Sequence, residues 1–212
     1  MNTNNKVIVV GSGLMGTGIA HAFISKGYAT TLVDTNAGAL LKAQAGIANV
    51  LDAGVSLGKL SSEDSEHAKS CLNIQENLGD APKDSGLLIE TVSENLSVKQ
   101  AVIGQASELL SEQAILATNT SALSVTEIAS AVTKPQRVIG MHFFNPVHKM
   151  KMVELVLGLS TDEATTATTQ QWCDAIGKTS ILVNESPGLT TSRMSAMMGN
   201  EAMWMLQEGT AS

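Results

Sequence analysis

Lys6-Val7-Ile8-Val9-Val10-Gly11-Ser12-Gly13-Leu14-Met15-Gly16 decides the fold of this chain. An apolar run that ends abruptly in glycine reads as a strand buried on both faces of a parallel sheet, turning into a helix. The glycines then have separate tasks. Gly11 permits a tight turn, Gly13 lets the backbone approach a pyrophosphate, and Gly16 lets the following helix pack closely on the strand. Leu14 and Met15 complete this phosphate-binding turn, and the helix N-terminus faces the phosphates. Gly18 to Lys26 reads as that helix, with Ile19, Ala20, Phe23 and Ile24 on one face and Gly27 as its stop. Ala29 to Val33 follows as a second strand and ends at Asp34. A glycine fingerprint alone is weak, but an acid about 20 residues further on, able to accept from both ribose hydroxyls, sharpens it. Asp34 is that acid. Its charge repels a 2′-phosphate and neither Thr35 nor Asn36 is basic, so NAD is favoured over NADP, while FAD shares the fingerprint.

Outward from this unit, Ala37 to about Lys69 reads as a helical arm, interrupted at Asp52-Ala53-Gly54 and again at Gly58-Lys59-Leu60-Ser61-Ser62. Later strands are expected at Leu87–Ile89, Ala114–Ala117, Val138–Met141, Met152–Leu157 and Ile181–Val183. Helical stretches at Leu96–Leu110, Val125–Ser130 and Ala164–Ile176 separate most of them. That alternation predicts an α/β fold, a Rossmann-type doubly wound and mostly parallel sheet with a projecting helical arm. Asn184-Glu185-Ser186-Pro187-Gly188 reads as a linker, and Leu189 to Glu208 as the first helix of an all-α C-terminal domain. Residues 1–186 are thus expected to form the dinucleotide-binding domain, and 187–212 the start of a helical domain for substrate and dimerisation, truncated at this point. Met194, Met197, Met198, Ala202, Met205 and Leu206 form an apolar, methionine-rich stripe on that helix. It either packs on the sheet domain or awaits further helices or another subunit.

Composition narrows the class. Thirteen Lys+Arg against twenty Asp+Glu give a formal charge of −7 in 212 residues, which disfavours nucleic acid or an anionic membrane surface as a partner. No segment approaches the roughly 20 apolar residues of a membrane span. Met1 to Asn5 is polar and the apolar run behind it is short, so no cleavable leader is expected. Cys71 and Cys173 stand alone, without His or Cys at ligand spacing, which points to a reduced, cytoplasmic compartment and no metal.

The chemistry is carried by His142 and Glu154. His142 follows the expected strand Arg137 to Met141 and so falls at the carboxyl edge of the sheet, where ligands bind in such folds. Glu154 interrupts the apolar Lys151-Met152-Val153-Glu154-Leu155-Val156, where an acid is costly unless paired. An imidazole is the natural partner. A carboxylate on one ring nitrogen fixes the tautomer and steadies the imidazolium formed when the other nitrogen takes a proton. Asn119-Thr120-Ser121 is a polar cluster at the same edge and reads equally as a site or as a turn and helix cap.

Taken in order, Gly11–Gly16, Glu90-Thr-Val-Ser-Glu-Asn-Leu96, Asn119-Thr-Ser-Ala-Leu123, His142-Phe-Phe-Asn-Pro-Val147, Val153-Glu-Leu155 and Pro187-Gly188 closely resemble the L-3-hydroxyacyl-CoA dehydrogenase family, particularly its 3-hydroxybutyryl-CoA branch. The resemblance implies NAD-dependent interconversion of short (S)-3-hydroxyacyl-CoA and 3-oxoacyl-CoA. It implies that His142 is the general base, that Glu154 orients it, and that Ser121 hydrogen-bonds near the reacting oxygen and the nicotinamide. Glu94, Lys99 and Asn145 would contact the dinucleotide. An acyl-CoA substrate, a place in fatty acid metabolism and a homodimer or other homo-oligomer through the C-terminal helix are further implications. The competing reading is an NAD-binding module that catalyses weakly or not at all.

The chain departs from the family pattern at two further places. Ser192 stands where many members have an asparagine that completes the catalytic set, a role that Asn200 or a bridging water could assume. The arm, where members place basic residues against CoA phosphates, offers Asp52 and Leu57, with Lys59 the nearby cation. Lys59, Ser121 and Ser192 are therefore the expected substrate contacts.

Overall fold

A computed structural model describes residues 5–211; Met1 to Asn4, on which most of the leader argument rests, lie outside the described residues. β1 (Lys6–Val10), α1 (Leu14–Ile24) and β2 (Ala29–Val33) form the opening unit. The arm follows as α2 (Ala37–Ser56) and α3 (Ser62–Ser70), and then come β3 (Leu72–Gln75), β4 (Leu87–Glu90), α4 (Leu96–Leu109), β5 (Ile115–Thr118) and α5 (Val125–Ala129). β6 (Val138–Phe143), β7 (Met152–Leu157), α6 (Glu163–Ala175), β8 (Thr179–Asn184) and α7 (Thr191–Gln207) complete the chain.

The strands lie in the order β3-β2-β1-β4-β5-β6-β7-β8. Every neighbouring pair is parallel except β6 and β7, which are antiparallel. From β1 the chain winds outward to β2 and β3, then returns to β4 and proceeds the other way. The reversal opens a crevice at the carboxyl ends of β1 and β4, where ligands of doubly wound sheets bind. Alternation along β1 feeds two cores. Val7 and Val9 pack with Ile19, Phe23, Leu32 and Leu40 on one face, while Ile8 and Val10 pack with Ile103, Leu116 and Ile128 on the other. Burial on both faces explains why β1 is an unbroken apolar run from Val7 to Val10.

Several boundaries differ from the sequence reading. α1 begins at Leu14, not Gly18, because the fingerprint glycines that lower helix propensity sit inside its first turns. α2 runs through Asp52-Ala53-Gly54 without interruption. Buried Leu40, Ala43, Ile47 and Leu51 anchor it along one stripe, and one glycine costs only about 1 kcal/mol. The break comes at Gly58, whose φ of +65° suits glycine, while Lys59 N donates back to Gly54 O at 2.9 Å. β3 escaped the sequence reading altogether, since its Leu-Asn-Ile-Gln edge strand is four residues long and half polar. β6 extends to Phe143, so His142 lies within the strand and not after it. α7 has no buried residue, which overturns the reading that its methionine face packs on the sheet. Among the described residues, no helix is long and apolar enough to cross a membrane.

Candidate active site

The glycine turn is shaped by contacts a side chain would destroy. Gly11 has φ +102°, and a Cβ there would lie 2.8 Å from Thr91 O. A Cβ on Gly16 would fall 1.8 Å from Gly11 O, so α1 can start this close to β1 only with glycine. Gly13, the N-cap of α1, has nothing within 4 Å of its Cβ position and leaves backbone open to a ligand. Thr91 pins the turn by donating its hydroxyl to Val10 O at 2.9 Å, with Gly11 O 3.0 Å away. A cleft of about 530 Å³ opens beside it, lined by Gly11, Gly13, Val33, Asp34, Thr35 and Thr91 among others.

Asp34 stands at the mouth of this cleft. Its Oδ2 accepts from Ser12 N at 2.7 Å and Ser12 Oγ at 2.8 Å, and its Oδ1 from Asn36 N at 3.0 Å. Partial burial raises its pKa, but these hydrogen bonds outweigh that effect and hold the carboxyl below the usual range. The group is an anion where a ribose would sit. Among the described residues, no lysine or arginine lines the cleft to meet a 2′-phosphate.

A second cavity, of about 790 Å³, shares Thr91 and Val92 with the first and reaches His142. It gathers Met15, Glu94, Lys99, Ser121, His142, Asn145 and Ser192, residues from distant parts of the sequence. His142 and Glu154 are direct partners in the register of antiparallel β6 and β7, so both side chains leave the sheet on one face. His142 Nδ1 lies 2.7 Å from Glu154 Oε2. His142 is 8% exposed and Glu154 not at all, so the ring lines the cavity while the carboxylate lies behind it. Phe144 packs edge-on against the imidazole, with ring centroids 4.7 Å apart. Asn119 Oδ1 accepts from Phe143 N at 2.9 Å and ties the β5 loop to the end of β6.

Ser121 is held by charge. Glu94 Oε1 accepts from Ser121 N at 3.1 Å and from the Thr120 hydroxyl. Its Oε2 lies 3.1 Å from Lys99 Nζ, which also contacts buried Glu90 at 2.9 and 3.2 Å. Glu90 further accepts from Thr118 Oγ1 and Val92 N, each at 2.7 Å. Burial raises the Glu94 pKa, yet the Thr120 hydroxyl and the Lys99 charge bring it below the ordinary value. Thr120 meanwhile caps the local turn by accepting from Leu123 N at 2.9 Å, so one polar cluster both makes a turn and lines the cavity.

Other expected residues lie elsewhere. Gly16 packs beneath the turn, and Leu14 lines a neighbouring cleft with Lys42, Asn145 and His148. Lys59 sits in the turn between α2 and α3 and lines neither the His142 cavity nor that cleft. Asp52 is paired with Lys69 at 2.7 Å. Ser192 lies in the His142 cavity together with Thr191 and Ser195, whereas Asn200 does not line it. Sequence reasoning passed over Glu90, Lys42 and Thr191. For Glu90 the signal was available, an acid ending the apolar Leu87-Leu88-Ile89, the same anomaly that singled out Glu154.

Comparison with known proteins agrees with this geometry. Residues 6–186 match the family described as 3-hydroxyacyl-CoA dehydrogenase, NAD binding domain. The 3-hydroxybutyryl-CoA dehydrogenase of Clostridioides difficile is 40% identical over 98% of this chain and 73% of its own length. The crystal structure of (S)-3-hydroxybutyryl-CoA dehydrogenase from Ralstonia eutropha superposes with a TM-score of 0.94 at 36% identity, covering 99% of this chain and 74% of that one. An Escherichia coli 3-hydroxybutyryl-CoA dehydrogenase structure gives 0.95 at 37% identity, with this chain spanning 44% of it. A fingerprint turn with room for a pyrophosphate, an acid for the ribose and a matching run of residues together place the chain in the NAD-dependent 3-hydroxyacyl-CoA dehydrogenase family.

Proposed function

We propose that this chain catalyses NAD-dependent oxidation of a short (S)-3-hydroxyacyl-CoA to the 3-oxoacyl-CoA, or the reverse reduction of acetoacetyl-CoA. The observation that carries this reading is the His142–Glu154 pair, 2.7 Å apart at the wall of a cavity that shares Thr91 and Val92 with the cleft at the glycine turn. NAD, when bound, supplies the hydride acceptor. Gly11, Gly13, Leu14, Met15 and Gly16 form its phosphate turn, and Asp34 meets the ribose. Glu94 and Asn145 face it from the His142 cavity, while Lys99, 1% exposed, acts by holding Glu94.

Against a carboxylate, His142 Nδ1 carries the hydrogen and Nε2 is the atom that takes the proton of the 3-hydroxyl. Glu154 keeps that tautomer and stabilises the imidazolium. Ser121 hydrogen-bonds the reacting oxygen, and Ser192, which lines the same cavity, contacts the substrate. For the CoA moiety, Lys42 and His148 offer donors in the cleft beside Asn145, a better-placed pair than Lys59. The domain boundary is drawn at residue 186, with 187–212 opening a helical unit. Met194, Met197 and Met198, 59%, 65% and 74% exposed, favour a homo-oligomer through α7, which sedimentation across a concentration series tests. A cytoplasmic location accords with two unpaired cysteines.

The test follows NADH absorbance with acetoacetyl-CoA for the wild type and for His142→Ala. Turnover by the wild type that is lost in the variant is the expected result. Turnover that survives the substitution removes the proposed base. NADH binding without any turnover favours a binding module.

A further inference from the structure

α7 starts at the wall of the His142 cavity without a cap of its own. Thr190, at its N-cap position, makes no side-chain hydrogen bond to the helix, although the first turn of any helix carries N–H groups that need outside acceptors. Glu154 serves one of them. Its Oε1 accepts from Thr191 N at 3.0 Å, and its Oε2 accepts from the Thr191 hydroxyl at 3.2 Å. The same Oε2 is the atom that faces His142 Nδ1.

The terminal torsion of a glutamate is broad, so one partner on one oxygen leaves the carboxylate free to rotate. Two donors from a single residue, one on each oxygen, leave one orientation. The carboxylate is also wholly buried at the start of α7. We propose that Thr191 is a positioning residue: its N–H and hydroxyl lock Glu154 with Oε2 toward His142 and so hold the imidazole against the reacting hydroxyl. This rests on the reading of His142 as the base.

Thr191→Val keeps the N–H and nearly the same shape but removes the hydroxyl; Thr191→Ser restores it. Thermal melting confirms that both variants fold. The expected result for Thr191→Val is a kcat about tenfold lower, with KM for NADH and acetoacetyl-CoA within about twofold of wild type. Thr191→Ser keeps the wild-type kcat. A second readout needs no turnover: the low-field proton resonance of His142 Nδ1–H in NMR spectra should move or broaden in Thr191→Val and stay in place in Thr191→Ser. An unchanged resonance in Thr191→Val, or a kcat loss that serine does not rescue, overturns the proposal. If the wild type itself fails to reduce acetoacetyl-CoA, the functional reading falls, and the resonance alone decides the role of Thr191.

Discussion

Replacing Lys99 with methionine isolates the energetics of the buried charges beneath Ser121. Lys99 is 1% exposed and Glu90 0%, with the ammonium 2.9 and 3.2 Å from the two Glu90 oxygens. Methionine fills similar volume but leaves Glu90 buried with only Thr118 Oγ1 and Val92 N as donors, and leaves Glu94 without its cation. Breaking a buried pair from one side costs about 3–5 kcal/mol, because the surviving charge is stranded. At about 2–4 °C per kcal/mol for a domain of this size, melting should fall by about 6–20 °C. Urea unfolding with the same slope and a lower midpoint measures the loss directly. Adding Glu90→Gln to Lys99→Met removes the stranded charge: the amide oxygen still accepts from Val92 N, the amide NH2 can donate to the Thr118 hydroxyl, which turns to accept, and most of the stability should be recovered. A single variant within about 1 kcal/mol of wild type, or a double variant less stable than the single, would refute the assignment of Glu90 and Lys99 as a mutually dependent pair.

Two other predictions follow from local geometry. Gly16→Ala places a Cβ 1.8 Å from Gly11 O, so the fingerprint turn must move; overpacking of this kind costs about 1–3 kcal/mol, and NADH affinity by fluorescence titration should weaken at least about tenfold. His21 is half-buried, and burial, with His148 and Lys178 nearby, lowers its pKa from the ordinary value of 6.5. A histidine depressed in the fold takes up its proton more readily when unfolded, so its contribution is complete above about pH 6.5 and declines as pH drops toward the folded value. Melting temperatures from pH 7.5 down to 5 should therefore fall more steeply for wild type than for His21→Gln; parallel curves would contradict the assignment.

The opening β-α-β unit was legible because its residues answer to local rules: an apolar run, three spaced glycines and an acid at the end of the next strand. Glu154 was legible for the opposite reason, as a charge where its surroundings forbid one. What stayed hidden depends on partners far away in sequence. β3 is a strand because β2 lies beside it, not because Leu72-Asn73-Ile74-Gln75 demands it. His142 read as the residue after a strand ending at Met141, whereas pairing with β7 carries the strand to Phe143. Thr191 could not be found at all from sequence. It lies in a run of small polar residues that reads as an ordinary helix start, and its meaning comes from a glutamate 37 positions earlier.

The one reversal in the sheet accounts for the placement of the base. Parallel neighbours need a crossover of a dozen or more residues, so they could not bring positions 142 and 154 side by side. An antiparallel return does so with both residues in regular strand, where backbone pairing on either side fixes them. The start of α7, which also lines the cavity, is fixed differently. α7 buries no side chain of its own, yet Ser192 and Ser195 still line the space around His142. Two carboxylates set that position. Glu154 receives the first turn of α7 through Thr191, and Glu185, in the preceding segment, accepts from Ser124 Oγ and Thr126 N at 2.7 Å each. A helix whose apolar face meets no core is thus registered against the sheet by polar anchors at its start, and one of those anchors is the partner of the base.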